Sequence, residues 1–325
     1  MRKLIMLVGL PGSGKSTYAK RYKEENSTEE VEILSSDTLR KEMFGYLCQD
    51  RNQELFSEMF KRTVSFLKED KTVIYDATNI SSKRRANLIK QIRSNSSIKD
   101  TFIECRFIYA QYLTCYLNNQ KRKDVVPFDV LMRMRNNLQI PMYYEGWDSI
   151  KIIKHEDCDF TIDNSYNITS LFKLGARIQN LYEYHNLLDL LWFSYIKGYN
   201  QNNPHHTLPL DEHMFKAYEY GVKHKMDYIV LMACLFHDIG KIFAEEKNDK
   251  GYSTYYNHEN ISAYIFIFIG EAIGLEWEQT LKIATLIQLH MQMYDEKRRI
   301  KLMDMLDKET YALLEKLHEC DINAH

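Results

Sequence analysis

The chain has 325 residues, 45% of them hydrophobic and 27% charged, with a formal net charge of -2 at pH 7. That length suggests two domains, each able to bury a core, and the near-neutral balance excludes wholesale attraction to nucleic acid or an anionic membrane. Six cysteines, at 48, 105, 115, 158, 234 and 320, form no C-x-x-C pair, so no disulfide framework is expected and a reducing cytoplasmic setting is.

The first apolar run, Leu4-Ile5-Met6-Leu7-Val8, is too short for a signal peptide and reads as a buried strand. It runs straight into GLPGSGKST, Gly9 to Thr17, which fits G-x-x-x-x-G-K-[ST]. Gly9, Gly12 and Gly14 let the backbone curl with its N–H groups toward an anion, and Ser13 lies in the same curve. The helix starting near Lys15 adds its positive end. Lys15 is expected on the β- and γ-phosphates of ATP, Ser16 on Mg²⁺, and Thr17 beside them.

Strands and helices then alternate. A helix is expected over 16–25 and a strand over 31–35, followed by Asp37 and Arg40. A helix over 52–68 and a strand over 71–76 end at Asp76. Helices over 81–93, 111–120 and 128–138 and strands over 101–109 and 151–154 follow. The pattern predicts an α/β domain with a parallel sheet covered on both faces. Asp37 suits a base for an attacking hydroxyl, and Arg40 a clamp on an acceptor phosphate; a capping aspartate and a surface arginine are the plainer alternative. Asp76 suits a magnesium-holding acid or a turn residue. Lys121-Arg122-Lys123 reads as a cationic lid or a solvated loop. Lys83, Arg84, Arg85, Lys90 and Arg93 read as one basic helix face, and Arg133 and Arg135 as another.

GLPGSGKST, SSDTLRKEMFG, VIYDATNISSKRR, KRKDVVPFDVLMRMR and EGWD occur in that order. This half resembles the kinase domain of the phage polynucleotide 5′-kinase family. The resemblance implies Lys15 and Ser16 on nucleotide phosphates and magnesium, and Asp37 as general base for a 5′-hydroxyl. It also implies Arg40 on the acceptor's 3′-phosphate and Arg122 as the lid arginine.

The domain boundary is placed near Asn167, giving domains over 1–167 and 168–325, with a docking helix over 168–184. Beyond it the strands stop. Helices are expected over 185–198, 211–224, 228–237, 258–274, 277–293 and 302–318, with His213, His237, His258 and His290 at their edges and Asp238 beside His237. Imidazole with carboxylate suits Mn, Fe, Co, Ni or Zn. The apolar segment from Ile261 to Gly274 is too short to span a bilayer.

DEHMFKAYEY, LMACLFHDIGK, YNHENISAYI, LIQLHMQM and LHECDINAH resemble the HD-domain metal phosphohydrolases. The resemblance implies an all-α domain with one metal on His213, His237, Asp238 and Asp321. A second metal would share Asp238 and add His258 and His290, with Asp295 and Asp304 as reserve ligands. Lys241 is expected on a phosphate oxygen, with His205 and His206 near the phosphate pocket.

Together the two resemblances imply a bifunctional end-healing enzyme for broken RNA or DNA. It would phosphorylate 5′-hydroxyls with ATP and remove 2′,3′-cyclic or terminal phosphates, and a separate ligase would then join the ends. A small-molecule kinase fused to an HD nucleotidase, and a nonenzymatic nucleotide sensor, are the alternatives.

Overall fold

The computed structural model describes residues 2–46, 50–155, 178–204 and 207–324. The chain divides into two compact units, Met1–Asp159 and Phe160–His325. The boundary expected near residue 167, and His205 and His206, lie outside the described residues.

The first unit is built on five parallel strands in the order β2-β3-β1-β4-β5: β1 Lys3–Val8, β2 Val31–Ser35, β3 Thr72–Asp76, β4 Phe102–Tyr109 and β5 Ser149–Lys154. β1 is central, and Leu4 to Val8 are fully buried, as a strand covered on both faces requires. Its neighbours are β3, with Ile5 opposite Ile74, and β4, with Val8 opposite Phe107. Helix α1, Lys15–Glu25, lays Ala19 and Tyr22 on Ile5, Leu7, Val31, Ile74 and Ile108. Each large side chain buried in this way contributes roughly 1.5–3 kcal/mol.

The other helices of this unit are α2 Ser36–Phe44, α3 Asn52–Lys68, α4 Ser82–Ser94, α5 Tyr112–Gln120 and α6 Phe128–Asn136. Helix α2 was not among the expected elements. It starts directly after β2 and ends at Gly45, whose φ of 78° closes the last turn through Gly45 N–H to Lys41 O. Asp37 therefore sits in the first turn of a helix.

The basic face expected on α4 is corrected by burial. Arg85 shares the inner stripe with Ile89 and Ile92. Its guanidinium pairs with Glu145 at 2.6 and 2.7 Å and donates to the carbonyls of Asn79, Gln139 and Ile140. Arg93 holds Asp148, whose carboxylate also accepts from Ile103 N. Two of the four residues in EGWD are thus partners of α4 arginines. Arg135 is likewise buried, against the Tyr112 ring.

The second unit is helical: α7 Leu181–Leu190, α8 Leu210–Lys223, α9 Tyr228–Phe236, α10 His258–Ala272, α11 Trp277–Leu289, α12 Glu296–Met305 and α13 Lys308–Ile322. Every residue of α9 from Ile229 to Phe236 is buried. The segment expected as one helix over 302–318 is broken, because Leu306 is extended and Asp307 caps a new helix by accepting from Thr310 N. The docking helix expected over 168–184 falls outside the described residues up to 177. Helix α7 then starts at Leu181, where the Asn180 side chain accepts from Glu183 N. One two-strand hairpin, Glu246–Lys247 with Ser253–Thr254, interrupts the helices. It is closed by Asn248, whose side chain accepts from Lys250 N and Tyr252 N. Among the described residues no helix is long and apolar enough to cross a membrane.

Candidate active sites

In the first unit, the carboxyl ends of the parallel strands gather the candidate residues at one edge of the sheet. Gly9 to Thr17 connect β1 to α1. Gly12, at φ 80°, leaves no room for a side chain, since a Cβ there would lie 2.1 Å from Cys115 O. Ser13 is fully buried, and Gly14 caps α1 in a left-handed conformation. Lys15 is buried and its Nζ donates to Leu10 O at 2.7 Å, which holds the ammonium over its own loop. Burial lowers its pKa, while Asp76 opposes the shift. Ser16 is exposed and its hydroxyl donates to Asp76 Oδ2 at 2.8 Å. Burial raises the Asp76 carboxyl, with Lys15 and the Ser16 hydroxyl acting against that rise. A hydroxyl beside a carboxylate is a donor set that suits Mg²⁺. Thr17 follows, exposed.

Across the edge, Arg122 Nη2 meets Asp37 Oδ2 at 2.9 Å. Asp37 and Arg122 both act electrostatically on Lys15 and Asp76, so the four groups form one charged constellation. The lid's next acid, Asp124, pairs with Lys41 of α2 at 2.6 Å. Arg40 is not the surface arginine of the plainer alternative. It is buried, and its Nη2 donates to Asn52 Oδ1 at 2.9 Å.

In the second unit, helix ends deliver the ligand candidates to one place. His213 comes from the first turn of α8, and His237 and Asp238 directly follow α9. His258 opens α10, His290 follows α11, and Asp321 lies in the last turn of α13. Gly240 makes this approach possible, because a Cβ there would lie 2.4 Å from His258 O and 2.6 Å from Ser262 N. Its own N–H donates to Ser262 Oγ.

All six groups are buried or nearly so. Asp238 Oδ1 is 2.9 Å from His258 Nε2 and 3.5 Å from His290 Nε2. Asp238 Oδ2 is 3.4 Å from His237 Nε2 and 3.5 Å from His213 Nε2. Asp321 Oδ1 is 3.1 Å from His213 Nε2 and 3.4 Å from His237 Nε2. The Nδ1 atoms of His237, His258 and His290 face the carbonyls of Cys234, Tyr255 and Ile287 at 2.9, 2.7 and 2.6 Å, and that of His213 faces Ala324 O at 3.3 Å. A carbonyl only accepts, so each Nδ1 carries a proton and each Nε2 is the ring atom turned to the shared centre, able to bind a metal once it carries no proton.

The fit to a metal rests on one atom above all. His237 Nε2 is fully buried and, among the described residues, makes no hydrogen bond. Such a group is costly unless something engages it. Three overlapping sets, His213–His237–Asp238, His237–His290–Asp321 and Asp238–His258–His290, have ligand atoms close enough to share an ion. Asp295 instead caps α12 through Arg298 N, and Asp304 is exposed; neither is in these sets. Burial opposes ionisation of Asp238, but Lys241 and His237 hold it well below the usual carboxylate range. Burial favours neutral His237, yet the carboxylates of Asp238 and Asp321 outweigh it and raise its pKa to about 10.

Lys241 is buried and held by Asp238 at 2.6 Å and Gln201 Oε1 at 2.8 Å. Tyr294, not singled out from sequence, donates its hydroxyl to Asp321 Oδ2 at 2.8 Å. Its place four residues after His290 is the signal that would have found it. The site opens into a cavity of about 800 Å³.

Residues 4–141 match the family described as an AAA domain, and residues 210–314 match the HD domain family. The chain is similar to an L-seryl-tRNA(Sec) kinase of Methanococcus maripaludis, with 28% identity over 159 residues, 45% of this chain and 56% of that protein. This chain thus spans about half the length of that protein. Among solved structures it is similar to a chain of the Pnkp1/Rnl/Hen1 complex, with 24% identity over 39% of this chain and 40% of that one and a TM-score of 0.32. It is also similar to a gluconokinase from Sinorhizobium meliloti, with 16% identity over 47% and 84% and a TM-score of 0.34. By motif, sheet topology and family match, the chain joins a P-loop kinase domain of the AAA-domain family to an HD domain.

Proposed function

We propose that this chain heals both ends of broken RNA: the P-loop unit phosphorylates 5′-hydroxyls with ATP, and the HD unit removes 2′,3′-cyclic or terminal phosphates. The observation that carries the kinase half is the Asp37–Arg122 pair, set within electrostatic reach of Lys15 and Asp76. Lys15 offsets charge on the β- and γ-phosphates, and Ser16 with Asp76 would hold Mg²⁺. Asp37 accepts the proton of the attacking hydroxyl. Arg122 turns from Asp37 to the phosphoryl group as charge spreads over its oxygens. Arg40 serves the acceptor's 3′-phosphate by exchanging Asn52 for it.

In the HD unit, His213, His237, Asp238 and Asp321 would hold one divalent metal, and Asp238, His258 and His290 a second, from among Mn, Fe, Co, Ni and Zn. Such ions supply Lewis acidity toward the phosphoryl group and lower the pKa of water. The protein's part is to fix each imidazole through its backbone carbonyl, to orient Asp321 through Tyr294, and to balance Asp238 with Lys241. A separate ligase would then join the healed ends.

The test uses full-length protein, γ-labelled ATP, a 5′-hydroxyl oligoribonucleotide and a second ending in 2′,3′-cyclic phosphate. Label on the first and opening of the second are expected; absence of either removes that half of the proposal. The match to a kinase named for L-seryl-tRNA(Sec) favours a second reading, in which the acceptor is a serine hydroxyl carried on tRNA. Seryl-tRNA in the same assay separates the two: label there and none on the 5′-hydroxyl strand selects the second.

A further inference from the structure

We infer that Arg298 reads the phosphodiester adjoining the scissile phosphate, so that the HD cavity selects a strand of two or more nucleotides over a mononucleotide. This rests on the phosphoesterase reading above. The cavity of about 800 Å³ is far larger than a phosphate group needs, and its buried His and Asp groups account for the phosphate alone. The remainder must take the organic part of the ester.

Among the described residues, Lys241 and Arg298 are the Lys and Arg side chains that line the cavity, and their situations differ. Lys241 is buried and committed to Asp238 and Gln201. Arg298 is exposed, and among the described residues no ion pair or side-chain hydrogen bond engages its guanidinium. Its backbone N–H is fixed by Asp295 Oδ1 at 2.8 Å, which anchors the first turn of α12. Arg299, one residue on, belongs elsewhere: it reaches Glu315 at 3.3 Å and Tyr311 at 3.4 Å on α13. Adjacent arginines thus divide, one tying two helices together and one left to the cavity. Arg298 also stands four residues beyond Tyr294, whose hydroxyl touches Asp321. It therefore follows directly on the segment that meets the ligand set.

A guanidinium forks naturally onto the two free oxygens of a phosphodiester. Tyr256, on the cavity wall and 74% exposed, offers a ring face for a base. Among the described residues the acid of the wall outside the ligand set is Glu259, 3.8 Å from His258 Nδ1. A 2′,3′-cyclic mononucleotide carries no second phosphate and gains nothing from Arg298. A dinucleotide gains a charge-assisted contact.

The experiment compares three substrates with the Mn²⁺-loaded full chain. They are adenosine 2′,3′-cyclic phosphate, a dinucleotide ending in 2′,3′-cyclic phosphate, and the same dinucleotide with a neutral methylphosphonate linkage. Wild type is expected to favour the charged dinucleotide over the other two by about tenfold in kcat/KM, chiefly through KM. Arg298→Ala should bring the two dinucleotides together, and Arg298→Lys should recover part of the preference for the charged one. A preference for the charged linkage that survives Arg298→Ala overturns the inference, as does wild-type opening of all three at equal efficiency; the phosphoesterase reading stands in both cases. If wild type opens none of them, that reading falls and the inference with it.

Discussion

Arg122 Nη2 stands 2.9 Å from Asp37 Oδ2, joining the lid loop to the first turn of α2. Both side chains are partly exposed, 33% and 54%, so the pair adds little to stability and separates cheaply. That suits an exchange in which Arg122 moves to the phosphoryl group and Asp37 to the acceptor hydroxyl. Arg122→Ala should lower kcat for 5′-hydroxyl phosphorylation by roughly 10²–10³. Asp37→Asn should lower it by roughly 10²–10⁴. Steady-state kinetics and a thermal melt check this together; an unchanged kcat, or a loss of kcat that accompanies a loss of the folding transition, would contradict it.

Lys41 and Asp124 repeat the connection one helical turn along, at 2.6 Å. Hydrogen bonding to Lys41 keeps the Asp124 carboxyl below its usual range. Their service is to seat the lid that carries Arg122. Lys41→Glu should reduce phosphoryl transfer by about two- to fivefold. The reversed pair, Lys41→Glu with Asp124→Lys, should regain most of the loss, and the wild-type advantage should shrink in high salt. A reversed pair as slow as the single variant would remove this role.

Arg85 and Glu145 are a different kind of ion pair, 1% and fully buried. Removing one partner leaves an uncompensated charge inside the protein. Arg85→Ala should cost about 3–5 kcal/mol of stability. Denaturant unfolding with intrinsic fluorescence measures it, and a loss under 1 kcal/mol, on the order of an exposed pair, would show that water reaches the site.

Metal loading of the HD unit should depend on pH in a definite direction. His237 has its pKa raised to about 10 by Asp238 and Asp321 against the effect of burial, so below that pH it holds a proton that a metal must displace. Apparent affinity for Mn²⁺ should therefore rise with pH between about 6 and 8, by about tenfold per unit for one proton released. Calorimetry in buffers of different ionisation enthalpy counts the proton; no release would contradict the assignment of His237. His237→Ala should weaken binding at every pH and flatten the slope.

Much of this was legible in the sequence, because it is written in short-range pattern. Gly9 to Thr17 carries its own loop geometry, and alternating strands and helices dictate a parallel sheet. His213, His237, Asp238, His258 and His290 lie at the helix edges where periodicity breaks, and all of them meet in the fold. What sequence hid depends on distant partners. Arg85 counts as a surface charge until Glu145, sixty positions away, makes it a buried one. Arg40 reads equally as a phosphate clamp or a surface arginine until its burial beside Asn52 is known. Helix α2 was obscured because it follows β2 without an intervening loop, and the break at Leu306 because one capping aspartate, Asp307, outweighs a continuous helical periodicity.

The most direct test of the central claim separates the two ends of one RNA. A strand with a 5′-hydroxyl and a 2′,3′-cyclic phosphate is treated with full-length protein, γ-labelled ATP, Mg²⁺ and Mn²⁺, and both termini are read by mass. Wild type should yield a 5′-phosphate and a free 3′-terminal hydroxyl pair. Asp37→Ala should heal only the 3′ end, and His237→Ala with Asp238→Ala only the 5′ end. Wild-type protein that leaves both termini unchanged, or either variant that still heals both, would contradict the account.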